Sequence, residues 1–108
     1  MAPITCLLGT VERAGIQGSM GTCNATLRKL ATKSGTYIDE IVRDYGGGLK
    51  TKSEIFGNTI RNTGTDGSET NFVKDYFKGT VVTEANGAQH LESSSLWDKI
   101  RNVAYKGF

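Results

Sequence analysis

The strongest local pattern in the sequence is Thr36-Tyr-Ile-Asp-Glu-Ile-Val-Arg-Asp-Tyr45, which is followed by Gly46-Gly47-Gly48. Its apolar side chains recur at helical spacing and form one stripe. Thr36 can cap a helix, and the acidic residues near the start suit the positive end of a helix dipole. Consecutive glycines then end the element. The pattern predicts a helix over 36–45 that buries Tyr37, Ile38, Ile41 and Val42.

Other segments carry the same kind of signal, with a polar cap, an apolar stripe and a closing glycine. A helix that begins at Asn24 and ends before Gly35 is favoured over a hairpin, although its threonines favour strands. The further helices are predicted at Ser53–Ile60, weakened by Gly57, at Ser68–Gly79, with the stripe Phe72, Val73, Tyr76 and Phe77, and from about Ser95 to Tyr105.

Strands are predicted at residues 3–12, at Thr80–Thr83 and, more weakly, at 88–92. Asn86-Gly87 indicates a turn, and glycine-rich or polar loops are expected at Gly15–Gly21 and at Asn62–Gly67. The expected fold is therefore a single α+β domain over residues 1–108, with three to four short amphipathic helices packed on a small antiparallel sheet. An all-α fold is the second choice.

Composition limits the classes of function. The chain has 108 residues, 37% of them hydrophobic, and a net charge of +2. A net charge this small does not indicate the concentrated basic face that is typical of a nucleic-acid-binding protein. No run approaches the ~20 apolar residues of a membrane span, and the first residues lack the features of a signal peptide. A cytoplasmic protein is expected.

The residues that most often carry chemistry are few. Cys6 and Cys23 are the only cysteines, and two free, partly buried thiols are favoured over a disulfide, which would require their strands to face each other. His90, the only histidine, could act with Glu92 and a cysteine in a small enzyme, but a surface histidine is the simpler interpretation. The sequence predicts no catalytic site, no metal site and no cofactor.

The glycine triplet suggests a weak anion site. Backbone N–H groups of consecutive glycines can converge on an anion, and basic side chains follow them. The P-loop pattern fails, because Leu49 precedes Lys50 where a glycine is needed. The candidate residues are Gly46, Gly47, Gly48, Lys50 and Lys52, and the alternative is that the glycines only end the helix as a flexible terminator. A modest basic surface could extend the site through Arg28, Lys29 and Lys33.

The aromatic stripes are the remaining feature. Aromatic residues are common in interface hot spots, and the last predicted helix has several at its end. The favoured function is a non-catalytic structural or assembly protein that binds a protein partner or further copies of itself through Trp97, Ile100, Tyr105 and Phe108. The alternative is a nucleic-acid or anion-binding module that uses the basic surface.

Overall fold

A computed structural model describes residues 4–8 and 21–106 of the chain. Within these residues, eight strands form one antiparallel sheet in chain order, so each strand pairs with the next along the sequence. The last strand is followed by a helix. The strands are β1 (Ile4–Leu8), β2 (Gly21–Ala31), β3 (Tyr37–Asp44), β4 (Lys50–Phe56), β5 (Thr59–Thr63), β6 (Glu69–Asp75), β7 (Gly79–Thr83) and β8 (Gln89–Glu92), and the helix is α1 (Ser94–Lys106).

This architecture shows that the predicted α+β fold with three to four helices is wrong, as is the all-α alternative. The predicted helices at 24–35, 36–45, 53–60 and 68–79 are occupied mainly by strands β2 to β6 and their turns. The last predicted helix is confirmed as α1, and the strand at Thr80–Thr83 and the turn at Asn86-Gly87 are also confirmed. The predicted loop at Gly15–Gly21 lies outside the described residues except for its last glycine.

The segment around Ile41 shows why the helical pattern misled. In β3, Ile41 and Arg43 point to one face of the sheet and are buried, whereas Glu40 and Val42 point to the other. Apolar residues on both faces produce pairs of neighbouring apolar positions, and these pairs imitate helical spacing. Ile41 and Val42 therefore do not share one buried side.

Glycine-containing turns set the hairpins. In Thr32–Thr36, Gly64–Ser68 and Glu84–Ala88, the first residue's N–H donates to the fifth carbonyl, and the fourth residue's N–H donates to the first carbonyl. The fourth residue is a glycine with φ between 84° and 88° each time, a conformation that other residues disfavour. These turns match the three-residue hairpin loop with a glycine bulge.

Helix α1 covers one face of the sheet, which we call the helix face; the opposite side is the open face. The helix places Trp97, Ile100 and Ala104 against apolar side chains of the sheet, and all of them are buried. The sheet contributes Cys23, Ala25, Ile41, Ile55, Ile60, Phe72 and Val82 to this core. Burial of this apolar surface is the main force that holds the helix on the sheet.

The cysteines differ from the prediction of free thiols. Cys23 is disulfide-bonded, and the described part of the chain contains no free cysteine. The backbone explains how this is possible, because Cys6 in β1 and Cys23 in β2 are direct register partners. The condition that the two strands face each other is thus met.

Candidate protein-binding surfaces

The aromatic side of α1 is used within the chain. Trp97 is 8% exposed and Ile100 is 4% exposed, and both pack in the core. Tyr105 is half-buried and donates its hydroxyl hydrogen bond to Asp39. Burial, followed by the interaction with Asp39, raises the pKa of Tyr105 to about 12. Phe108 lies outside the described residues. Two of the four proposed partner-binding side chains thus have almost no surface left for a partner.

The glycine triplet forms the turn between β3 and β4. All three glycines have positive φ, between 61° and 82°. The N–H of Gly46 donates to the Asp44 carboxylate over 2.9 Å, and Lys50 is the register partner of Asp44 in β4. A carboxylate therefore already occupies one of the N–H groups that an anion would need. The structure brings these glycines and Lys50 together, but it also places the negatively charged Asp44 beside them.

The basic side chains near the anion candidate also have acidic neighbours. Arg28 binds Glu40 through two nitrogens. The ammonium of Lys29 lies 3.4 Å from Asp39, and that of Lys52 lies 3.7 Å from Glu54. Lys33 is exposed in the turn after β2. Three of the predicted phosphate contacts are consequently balanced by carboxylates of the same sheet.

His90 lies in β8 between two carboxylates. Its Nε2 is 2.8 Å from Glu84, and its Nδ1 is 2.9 Å from Glu92. The hydrogen bond to Glu84, helped by Glu92, raises the pKa of His90. Cys23 is disulfide-bonded in β2, near the opposite edge of the sheet from β8, so the structure does not join it to His90 as a nucleophile. Within the described chain, no three acidic, histidine or cysteine side chains form a group suited to a metal ion.

The turn between β6 and β7 carries an exposed pair of aromatic side chains, Tyr76 and Phe77, which we call the aromatic tip. Tyr76 is 85% exposed and Phe77 is 100% exposed. The Asp75 carboxylate accepts hydrogen bonds from the N–H groups of Phe77 (2.8 Å) and Lys78 (3.0 Å). These bonds lower the pKa of Asp75 and fix the turn that presents the rings.

Sequence reasoning missed the aromatic tip because it assigned Tyr76 and Phe77 to a helical stripe with Phe72. The structure separates them, since Phe72 is fully buried in β6 and the other two lie beyond the strand end. The signal that could have found the tip is the spacing of Asp75 and Gly79. Aspartate at the first position of a turn and glycine near its end are typical of hairpin loops.

The open face carries an apolar row that crosses the sheet near one end of its strands. Side chains that follow one another through the strand register form it, and most of them are half-buried. Its members are Leu30, Ile38, Phe56, Val73, Val81 and Leu91. The row ends in β8, the last strand of the sheet, where Leu91 is 58% exposed. Thr59 interrupts it in β5.

Comparison with known proteins finds no relative. No protein-family model matches the chain, and neither does any curated protein or solved structure. The fold also contains no helix, in its described part, that is both long enough and apolar enough to cross a membrane.

Proposed function

We propose that this chain is a non-catalytic assembly protein that inserts its aromatic tip into an apolar pocket of a protein partner. The observation that carries the proposal is the complete exposure of Phe77 beside the largely exposed Tyr76. Burying a large apolar side chain is favourable by about 1.5–3 kcal/mol. A partner that covered the two adjacent rings would gain this free energy. Aromatic anchors of this kind are common among interface hot spots.

The rigidity of the turn supports the same function. The N–H groups of Phe77 and Lys78 donate to the Asp75 carboxylate and hold the backbone of the turn in one arrangement before any partner arrives. Binding then costs less conformational entropy than it would from a flexible loop. Exposed aromatic rings on a turn whose backbone is already fixed are therefore well suited to bind a pocket of another protein.

The charge beside the rings defines the partner more closely. Lys78 follows Phe77 and is exposed, while the Asp75 carboxylate is engaged by backbone N–H groups. The partner we propose is a protein with an apolar pocket for Phe77 and acidic side chains at its rim opposite Lys78. Electrostatic complementarity of this kind favours the correct orientation of the two proteins.

The test compares Phe77→Ser with Leu49→Ser, which alters another exposed apolar residue in the β3–β4 turn. Proteins retained from source extract by the immobilised wild-type chain are purified, and their affinities for the three chains are measured by calorimetry. We expect Phe77→Ser to weaken binding about 30-fold, which corresponds to the ~2 kcal/mol of a hot spot, and Leu49→Ser to leave it within a factor of two or so.

Three results would overturn the proposal. The first is that no protein binds the wild-type chain. The second is that Phe77→Ser binds the purified partner as tightly as the wild type. The third is that the chain instead binds phosphatidylserine vesicles through Phe77, or binds RNA with an affinity that falls steeply with salt. The last outcome would favour the anion-binding alternative.

A further inference from the structure

Strand β8 leaves one edge of the sheet open to pairing. It is the last strand in the sheet and pairs with β7 on one side only, within the described chain. Its residues Gln89 and Leu91 are exposed on the open face. Natural edge strands are often protected by lysine or proline, and β8 contains neither. Among the described residues, no strand pairs with its outer backbone groups.

The hydrogen-bond pattern shows which groups point outward. Glu84 donates its N–H to Ala88 at the closing turn, and the carbonyl of Glu92 faces Gly79 in β7. Backbone groups alternate in direction along an antiparallel strand. His90 and Glu92 therefore bond toward β7, and the N–H and C=O of Gln89 and Leu91 point away from the sheet.

We infer that β8 pairs with β8 of a second copy of this chain, antiparallel and about a two-fold axis at Leu91. In this register, Leu91 faces Leu91 of the second copy, and the two residues exchange a pair of backbone hydrogen bonds. His90 then lies opposite Glu92 of the second copy. The pairing would join two eight-stranded sheets into one continuous sheet. Such a two-fold contact is isologous and closes with two chains.

Charge complementarity favours a second copy as the occupant. The imidazole of His90 lies on the helix face, held between Glu84 and Glu92 of its own chain. Two-fold pairing at Leu91 brings each imidazole beside a further carboxylate, and it does so twice in the dimer. Pairing one residue along, about His90, would instead set the two imidazoles against each other, which is unfavourable for like charges.

The open face supports the same register. The apolar row ends at Leu91, and this pairing continues it directly into Leu91 and Val81 of the second copy. A shallow cavity of about 220 Å³ beside the edge is lined by Lys78, Val81, Gln89, His90 and Leu91. A second leucine placed next to Leu91 would cover part of this cavity. The exposed end of the row would then be removed from water, which is favourable.

Lys78 borders both surfaces, but the aromatic tip is anchored by Phe77 and the edge pairing by Leu91, so substitutions at these two residues distinguish the failure of one proposal from the failure of the other. The measurement is analytical ultracentrifugation of the whole chain, with its disulfide intact, from about 10 μM to about 1 mM, a range suited to the weak association that a short contact provides. We expect a reversible dimer. Leu91→Lys should weaken dimerisation at least about tenfold, since two ammonium groups would meet at the axis. Leu49→Lys and Phe77→Ser should dimerise as the wild type does.

A cross-linking variant tests the register. In Leu91→Cys, the two introduced thiols lie opposite each other across the axis, so mild oxidation should give a covalent dimer on a non-reducing gel, whereas Leu49→Cys should give no covalent dimer. Circular dichroism of each variant verifies that it is folded. A wild-type chain that stays monomeric over the whole range would overturn the inference. So would a dimer indifferent to Leu91→Lys, an assembly larger than two chains, or the absence of the Leu91→Cys cross-link.

Discussion

The guanidinium of Arg43 lies in the core, where no carboxylate of the described residues pairs with it. The side chain is 1% exposed, and its burial lowers the pKa to about 10. One nitrogen donates to the Ser53 hydroxyl and to the carbonyl of Ala104, both over 3.1 Å. Ala104 belongs to the last turn of α1, where the helix dipole is negative. The end of the helix and Ser53 therefore offset part of the cost of burying the charge, and they tie α1 to β3.

Replacing Arg43 by alanine should lower the free energy of unfolding by about 3 kcal/mol or more. The change leaves a cavity and an unpaired carbonyl at Ala104, and a buried polar group without a partner costs about 1–3 kcal/mol by itself. Urea unfolding measures the effect. Lys33→Ala, in an exposed turn, is the control and should change stability by less than about 0.5 kcal/mol. A loss below about 1 kcal/mol for Arg43→Ala would contradict this role.

His90 can satisfy both of its neighbours in only one protonation state. Each ring nitrogen faces a carboxylate, so each must carry a proton in order to donate. A neutral imidazole has one N–H, and its other nitrogen would then meet a carboxylate as a second acceptor. The arrangement of Glu84 and Glu92 thus selects the charged ring, which agrees with the raised pKa of His90.

The β7–β8 hairpin should consequently lose stability as the pH rises through the folded pKa of His90. Because that pKa lies above the ordinary value of 6.5, the contribution is complete below about 6.5 and disappears above the folded value. NMR titration of the only imidazole gives the pKa, and amide exchange in β8 gives the local stability. In His90→Gln the pH dependence should vanish. A folded pKa at or below 6.5 would exclude the two-carboxylate clamp.

At the level of elements, the sequence did not predict the sheet, because each of its two faces carries both apolar and polar side chains. The helix face buries polar side chains such as Arg43, Thr51, Ser53 and Asn62, and the open face carries an apolar row. Strands normally reveal themselves by apolar and polar residues in alternation. Here both faces mix the two classes, so the alternation is lost and β3 imitates an amphipathic helix.

The turns are the part of the fold that could have been predicted from the sequence. Ser34-Gly35, Asp66-Gly67 and Asn86-Gly87 each sit in the same hairpin geometry, and only the last was interpreted as a hairpin turn between strands. The C-terminal helix was predictable because only its inner side is apolar. The aromatic tip and the open edge of β8 were not, because exposure depends on which strands pair, and that information is spread over the whole chain.

Gly79 shows how one element constrains its neighbour. Gly79 and Gly87 both have positive φ, 110° and 88°, and alanine is strained at both, by about 1 kcal/mol. Only at Gly79 would a methyl group also collide with the backbone carbonyl of Glu92 in β8. Gly79→Ala should therefore destabilise the chain clearly more than the matched Gly87→Ala, by chemical unfolding. Equal losses would mean that β8 can move away from β7 without cost.

Across the whole molecule, the disulfide of Cys23 and helix α1 stabilise different parts of the sheet. Helix α1 contacts strands β5, β6 and β7 most extensively and reaches β3 through Arg43 and Asp39. Strand β1 lies at the far edge of the sheet and pairs with β2. The disulfide-bonded Cys23 thus lies beside this far edge, in β2, away from the strands that the helix contacts most.

Removing the disulfide by Cys23→Ser should lower the free energy of unfolding by about 2–4 kcal/mol, because a cross-link restricts the unfolded chain and its loss restores that freedom. Thermal unfolding should show a lower midpoint, and wild-type protein with reductant should unfold at a similar temperature. Reductant should not lower the midpoint of Cys23→Ser any further, which separates the effect of the bond from other effects of the reagent. An unchanged wild-type midpoint under full reduction, verified by thiol titration, would show that the β1–β2 pairing is stable without the bond.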